Sequence, residues 1–261
     1  MRLMIAGLSL LLFFPACKKN NIDQSRIKTF DMTSVANGGH YTIRVVLPDH
    51  YTAAKKYSTL YMTDAAWDFD DIAAETDRQS TGHGKEGILV VGISWGYDRL
   101  DDYTPTPTEM GKGKADLFVR FIRTELIPRI VADFNADTSR AGRIIIGHSA
   151  GGLFAGHCFT NHNDLFGHYI CLSPAFWWDN AVVLRNEKAN REQNRKGTGT
   201  FFLGLGGTEE KMRPAFESFK KTLQTYYTGY QQQSNIERQY GHLDSKKANI
   251  REGLSFYFTH R

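Results

Sequence analysis

Short apolar segments, separated by polar turns and longer amphipathic segments, run along most of the chain. Residues 87–94 are apolar on both faces, as in a central strand, whereas 41–48 alternates as a half-buried strand does. Further strands are predicted at 58–63, 143–146, 168–172, 200–205 and 235–240. This alternation of strands and helices predicts an α/β fold, with a mostly parallel, doubly wound sheet flanked by helices.

Two long helices have a clear pattern. Apolar residues recur at helical spacing over 115–134, where Pro128 is expected to kink the helix, and the last helix covers about 245–257.

Two other stretches are irregular. Residues 95–113 predict a long functional loop rich in glycine, proline and aspartate, and 185–199 predicts a polar surface segment.

The sequence Gly-His-Ser-Ala-Gly at 147–151 stands between a predicted strand and a predicted helix. A strand, a sharp turn and a helix are the context of a nucleophile elbow, which lifts the serine, here Ser149, clear of the sheet edge. The glycines let the strand and the helix approach closely. The alternative is a tight turn in which Ser149 caps the helix.

A serine nucleophile needs a base to take its proton and an acid to orient that base. After such an elbow the acid and then the histidine follow in the chain. His242 follows the last predicted strand, so we assign it as the base; the alternative is a helix-start histidine beside Asp244. Glu209 is our preferred acid and Glu210 the alternative, unless both cap the helix starting near Met212.

The predicted oxyanion hole uses two backbone N–H groups. One belongs to Ala150, at the start of the helix after the elbow. The second is expected from Ala65 or Ala66, in the loop after the second predicted strand.

The length of 261 residues suits one large α/β domain. A hydrophobic content of 41% and a charged content of 23% indicate a globular chain. The net charge of +4 is spread along the chain without a dense basic block, so we expect no nucleic-acid partner. No spacing of cysteine and histidine suggests a metal site, and we expect no cofactor.

The first residues predict export. Residues 1–16 have a short basic start and an apolar run typical of a signal peptide, and Cys17 after a small residue resembles a bacterial lipobox. We therefore expect Cys17 to be lipidated, residues 17–28 to be a flexible tether, and the α/β domain to cover 29–261. The lipid would anchor the protein in the cell envelope, facing the periplasm or the cell surface. The alternative is an uncleaved anchor or an ordinary signal peptide, with Cys17 incidental.

Two further cysteines lie within the predicted domain. Cys158 falls on the helix after the elbow and Cys171 in the following strand. An exported protein can oxidise such a pair, but we expect two buried free thiols.

Several segments together resemble the putative esterase family of α/β hydrolases. This family includes esterase D, ferric-enterobactin esterases, feruloyl and acetyl-xylan esterases, and mycolyltransferases. The resemblance covers about residues 30–258, with its motifs in order. The matching segments are 60–64, 90–94, 99–105, 121–128, 147–152 and 173–178. Glu209 and His242 fall where the acid and base of the family belong, and the resemblance implies an α/β-hydrolase fold. Ala65 departs from the family, which commonly has glycine there.

The resemblance also places Arg99, Trp177 and Trp178 beside the site. One interpretation is that Arg99 pairs with Asp101 or Asp102 and holds its loop. The other is that Arg99 and the tryptophans bind an aromatic, partly anionic acyl group.

The function implied is serine carboxylic-ester hydrolysis through an acyl-enzyme on Ser149. The expected substrate is a siderophore-type lactone, or an acyl or feruloyl ester on a glycan. Two alternatives stay open: acyl transfer of the mycolyltransferase type, and a non-catalytic binding protein of the envelope with the same fold.

Overall fold

The computed structural model describes residues 22–261, which form an eight-stranded sheet with helices on both faces. The strands are β1 (Ile27–Thr33), β2 (His40–Val46), β3 (Thr59–Met62), β4 (Leu89–Ile93), β5 (Pro107–Thr108), β6 (Gly111–Lys112), β7 (Arg143–His148), β8 (His168–Leu172), β9 (Gly199–Gly206) and β10 (Tyr230–Glu237). The helices are α1 (Ala65–Gly82), α2 (Arg99–Tyr103), α3 (Ala115–Phe121), α4 (Ile127–Phe134), α5 (Ala150–Asn161), α6 (Trp178–Asn194), α7 (Arg213–Tyr226) and α8 (Lys246–His260).

The strand order is β1-β2-β4-β3-β7-β8-β9-β10. The pairs β1–β2 and β2–β4 are antiparallel, and the remaining pairs of this sheet are parallel. The mostly parallel α/β sheet predicted from the sequence is therefore confirmed. The carboxyl ends of β7, β8, β9 and β10 meet at one edge of the sheet, where α/β folds place their functional loops.

A hydrophobic core lies on each face of the sheet. On β7, Ile145 packs into one core while Ile144 and Ile146 pack into the other, because successive strand side chains point to opposite faces. Helices α3, α5 and α7 contribute to the first core, whereas α1 and α8 contribute to the second. A central strand must be apolar at every position, which is why these strands were visible in the sequence.

The sheet begins earlier in the chain than predicted. Ile22 is buried against the second core, Gln24–Arg26 forms a 3-10 turn, and β1 begins at Ile27. Arg26 makes two hydrogen bonds to Asp77, at 2.8 and 2.9 Å. The predicted tether over 17–28 is therefore too long at its carboxyl end. The predicted signal peptide and Cys17 lie outside the described residues.

Three other predictions needed correction. The charged segment 185–199 is largely the second half of α6, where Glu187 is buried and pairs with Arg191 one turn later. The loop 95–113 contains α2 and the small β5–β6 hairpin. The last strand ends at Glu237, so 238–245 is the turn that carries His242.

The helix predicted over 115–134 changes its hydrogen-bonding pattern just before Pro128. Residues Ile122–Leu126 form a π-helical segment between α3 and α4, and the N–H of Ile127 donates to the carbonyl of Ile122. Pro128 lacks an N–H donor, so the regular α-helical hydrogen bond to the residue four positions earlier cannot form here. The π-helical segment lies just before this interruption.

Cys158 and Cys171 are buried free thiols, as expected, and burial raises the pKa of both. Within residues 22–261, none of the helices combines the length and the apolar character that crossing a bilayer requires.

His168 makes the stability of the fold depend on pH. Its ring lies 3.0 Å from both the Thr200 hydroxyl and the Ala141 carbonyl, and burial lowers its pKa to about 4. The unfolded chain therefore binds a proton below about pH 6.5 that the folded chain refuses until about pH 4. The free energy of unfolding should therefore decrease as the pH is lowered from about 6.5 to about 4.

We expect His168→Gln to reduce this loss, as measured by urea unfolding at pH 7.0, 5.5 and 4.5. The matched control is His50→Gln, because the His50 side chain is 94% exposed. An unchanged pH slope in His168→Gln would contradict the assignment.

Candidate active site

Ser149 lies at a strained turn between β7 and α5, with φ 60° and ψ −116°. Such a positive φ is uncommon for a residue with a Cβ, and it aims the side chain away from the sheet edge. Backbone groups hold the residue on both sides. The Ser149 N–H donates to the Leu172 carbonyl at 2.9 Å, and its carbonyl accepts from the Ala175 N–H at 3.0 Å.

The glycines of the elbow are required by close packing. A Cβ on Gly147 would clash with the backbone of Gly151, and a Cβ on Gly151 would clash with the Thr63 hydroxyl. Strand β7, helix α5 and the end of β3 therefore meet with no room for a side chain at either position.

His242 and Glu209 form a hydrogen-bonded pair after β10 and β9. The Nδ1 atom of His242 lies 2.6 Å from Oε2 of Glu209. Oε1 of Glu209 accepts from the Ser173 hydroxyl and the Gly206 N–H, each at 2.6 Å. Burial raises the pKa of Glu209, but hydrogen bonds from His242, Ser173 and Gly206 outweigh it and lower the pKa overall. The carboxylate therefore stays charged and orients the imidazole.

Of the two candidate glutamates, Glu209 is the one that contacts His242. Its side chain is only 4% exposed, whereas Glu210 is exposed to solvent. The residues predicted as nucleophile, base and preferred acid thus follow β7, β10 and β9 at one edge of the sheet.

His148 links the base to the elbow. Its Nε2 lies 2.9 Å from the His242 carbonyl oxygen, and the two rings are 4.5 Å apart. Burial lowers the pKa of His148 to about 3, so the ring stays neutral and donates through Nε2. The residue next to Ser149 therefore holds the backbone of His242, a contact that sequence analysis did not anticipate.

The residues predicted as oxyanion donors lie in the first turns of α5 and α1. Ala150 and Ala65 are the first residues of these helices, whose first N–H groups have no acceptor within the helix. Asp64, just before Ala65, has φ 59° and donates its N–H to the Tyr103 hydroxyl at 3.1 Å. Ala65 is buried and Ala66 is exposed.

Arg99 is held by Asp64, and not by Asp101 or Asp102 as one interpretation expected. Its Nε and Nη2 donate to the two Asp64 carboxylate oxygens at 2.5 and 2.8 Å. Nη2 also donates to the His148 carbonyl at 3.2 Å. The guanidinium thus joins the turn before Ala65 to the elbow, so Arg99 is a positioning residue rather than a free ligand for an acyl group.

The two tryptophans have different surroundings. Trp178 is only 2% exposed and donates its indole N–H to the Thr106 carbonyl at 3.1 Å, so the prediction that it binds substrate was wrong. Trp177 is half-buried, its indole N–H lies 2.9 Å from the Met212 sulfur, and the Lys211 ammonium lies 3.7 Å from its ring centre.

A cleft of about 410 Å³ opens beside His242 and is lined by Thr208, Glu209, Glu210, Lys211 and Met212. A larger cavity of about 560 Å³ lies around Arg26 and Asp77, far along α1 from the elbow.

Sequence analysis missed Trp67, which is 63% exposed in the first turn of α1 and packs beside Trp95 and Arg99. Its position three residues after Asp64 was the available signal.

The family model described as "Putative esterase" matches residues 34–248. A siderophore triacetylfusarinine C esterase of Aspergillus fumigatus is 33% identical over 159 residues, which is 57% of this chain and 51% of that protein. The ferri-bacillibactin esterase BesA of Bacillus subtilis is 28% identical over 177 residues, 59% of this chain and 60% of that protein. The chain thus spans little more than half the length of these relatives.

Among solved structures, the BES protein from Bacillus cereus superposes with a TM-score of 0.80 at 26% identity, covering 94% of this chain and 99% of that one. An IroE-like serine hydrolase of Shewanella oneidensis gives a TM-score of 0.80 at 20% identity, covering 89% of this chain and 80% of that one. The architecture is the α/β-hydrolase fold, as predicted.

The contact between Arg99 and Asp64 can be tested by Arg99→Lys. Lysine keeps the charge but cannot bond both carboxylate oxygens and the His148 carbonyl in one plane. We expect kcat for p-nitrophenyl acetate to fall about 10- to 100-fold with little change in KM, because misplacing catalytic groups costs on that order. Arg26→Lys, which alters a similar pair with Asp77, should leave kcat within about twofold. Equal losses in both variants, or a change in KM alone, would exclude a positioning role.

Proposed function

The chain belongs to the putative esterase family, and on that basis we propose that it is a serine ester hydrolase that works through an acyl-enzyme. The observation that carries the proposal is the 2.6 Å contact between His242 and Glu209 at the sheet edge that also holds the Ser149 elbow. A half-buried serine at a strained turn and an imidazole oriented by a buried carboxylate are the parts that acyl transfer to a serine requires.

The proposed reaction begins when the Ser149 hydroxyl attacks the ester carbonyl and gives its proton to Nε2 of His242. Glu209, bonded to Nδ1, stabilises the imidazolium that forms. The N–H groups of Ala150 and Ala65 stabilise the oxyanion. His242 then protonates the leaving alcohol, and the acyl group stays on Ser149 until a water activated by His242 releases it.

Exposure of the base supports hydrolysis as the second half-reaction. The His242 side chain is 34% exposed beside an open cleft, so water reaches the acyl-enzyme. Product analysis with a competing alcohol separates this outcome from acyl transfer.

We propose a siderophore-type lactone or ester as the substrate class. The names of the Aspergillus and Bacillus relatives support it. So does the charge at the rim of the cleft, where the Lys211 ammonium lies over Trp177. Arg213 and Arg238 line an adjacent groove of about 400 Å³. Cations beside an aromatic ring suit an anionic, aromatic metal chelator.

We expect Ser149→Ala to abolish hydrolysis of p-nitrophenyl acetate and of a ferric tri-catecholate lactone. Glu209→Gln should lower kcat by about 10³- to 10⁴-fold, because the neutral amide no longer favours the productive tautomer of the His242 ring. Glu210→Gln is the matched control and should stay within about threefold.

Turnover retained in Ser149→Ala would contradict the mechanism. If feruloyl or acetyl esters react and the lactone does not, the mechanism stands and the substrate class is wrong.

We also propose that Cys17 anchors the protein in the envelope with the active site facing away from the membrane. Ile27, at the start of β1, pairs with Val46, which in turn pairs with Val90 near the start of β4. The chain therefore enters the domain at the amino ends of the parallel strands, and Ser149 lies at their carboxyl ends.

Cys17→Ala should abolish the incorporation of labelled fatty acid into the protein in cells that process lipoproteins, with unchanged esterase activity per molecule. Fatty-acid labelling that persists in Cys17→Ala would contradict the lipid anchor.

A further inference from the structure

Two histidines and an aspartate converge on one point remote from the active site. Nε2 of His157 and Nε2 of His162 each lie 2.8 Å from the same carboxylate oxygen, Oδ1 of Asp116. The three ligand atoms all lie within 4.8 Å of one another. His157 is in α5, His162 caps its carboxyl end, and Asp116 is in the first turn of α3.

Asp116 alone accounts for the polar environment of the His157 ring. That side chain is only 2% exposed, and its Nδ1 has no hydrogen-bond partner within the described residues. Burying an imidazole costs free energy unless its polar atoms are satisfied. The fold therefore maintains a buried histidine whose remaining polar atom, Nε2, points at a carboxylate.

The ligand set suits a divalent transition metal. Two imidazole nitrogens and one carboxylate oxygen are favoured by Zn²⁺ and its neighbours, whereas Mg²⁺ and Ca²⁺ prefer oxygen ligands. Ligands about 2.1 Å from a tetrahedral ion are about 3.4 Å apart. The Asp116 oxygen needs to move by about half an ångström from each histidine, and its side chain is 69% exposed, so solvent leaves room for this movement.

The electrostatic surroundings also favour a cation. The last carbonyls of α5 give its carboxyl end a partial negative charge next to His162. The nearby cation Arg123 is neutralised by Asp164, through hydrogen bonds of 2.6 and 2.9 Å.

We propose that Asp116, His157 and His162 form a binding site for one divalent transition-metal ion, with its remaining coordination positions open to water. The ion links α3 to α5, about 12 Å along α5 from Ser149. The site is independent of the proposed esterase activity, since it shares no residue with the cleft.

The test is calorimetric titration of the metal-free full chain with Zn²⁺, with Mg²⁺ as the comparison ion. We expect one Zn²⁺ per chain, and a melting temperature raised by about 5–8 °C when free Zn²⁺ is 100 times Kd. Mg²⁺ should give neither effect. Co²⁺ should give visible ligand-field absorption of a site with nitrogen and oxygen ligands.

Asp116→Asn and His162→Ala should each weaken Zn²⁺ binding by more than about 100-fold, since loss of an outer-shell partner alone costs 10- to 100-fold. The matched control is His50→Ala, an exposed histidine 3.7 Å from Asp49, which should bind as the wild type does.

Three outcomes would overturn the proposal. One is Zn²⁺ binding that survives in Asp116→Asn and His162→Ala. Another is binding lost only in His242→Ala, which would place the ion at the catalytic pair. The third is an Asp116→Asn variant whose melting temperature lies below that of the wild type by the same amount with EDTA and with Zn²⁺. The cluster would then have a hydrogen-bonding role only.

Discussion

The buried ion pair of Arg99 and Asp64 fixes how the parts of the catalytic edge lie relative to one another. Asp64 precedes the first turn of α1, Arg99 begins α2, and the same guanidinium reaches the carbonyl next to Ser149. One planar group with donors in fixed directions thus holds three segments that are distant in sequence. Because the Asp64 side chain is only 3% exposed, losing its partner would leave a buried charge, at a cost of about 3–5 kcal/mol.

A second buried carboxylate organises the other half of the site. Glu209 accepts hydrogen bonds from the backbone of its own turn, from Ser173 after β8, and from His242 after β10. These partners tie three successive loops to one side chain. The contact of His148 with the His242 carbonyl closes the arrangement from the side of the elbow. His242 is therefore constrained both through its ring and through its backbone.

Much of this arrangement follows from local sequence. The central strands are apolar at successive positions, and the order of elbow, glutamate and histidine places three side chains at one sheet edge once the strands are known to be parallel. The edge strand β1 was missed because most of its residues are partly or fully exposed and carry no strong alternation. Helix α6 was missed in part because most residues of its second half are polar or charged, which is also typical of a surface loop.

The sequence did not predict which charged groups pair with one another, because these pairs depend on how distant segments pack. Asp101 and Asp102 lie within three residues of Arg99 in the chain, yet Asp102 accepts from Tyr41 and Gly96 instead. Likewise Asp116 is about forty residues from the histidines that it meets, so no spacing rule indicated that cluster. Trp177 and Trp178 are adjacent in sequence, yet Trp178 is buried and Trp177 is half-buried.

The main-chain hydrogen bonds of Ser149 have a consequence for how substrate specificity evolves. Both the N–H and the carbonyl of this residue are engaged by main-chain atoms of the β8 strand and the loop after it. Its location is therefore insensitive to the identity of the side chains around the cleft. Residues such as Lys211 and Met212 can be exchanged over generations without displacing the attacking oxygen, so new specificities are accessible while the reaction itself is preserved.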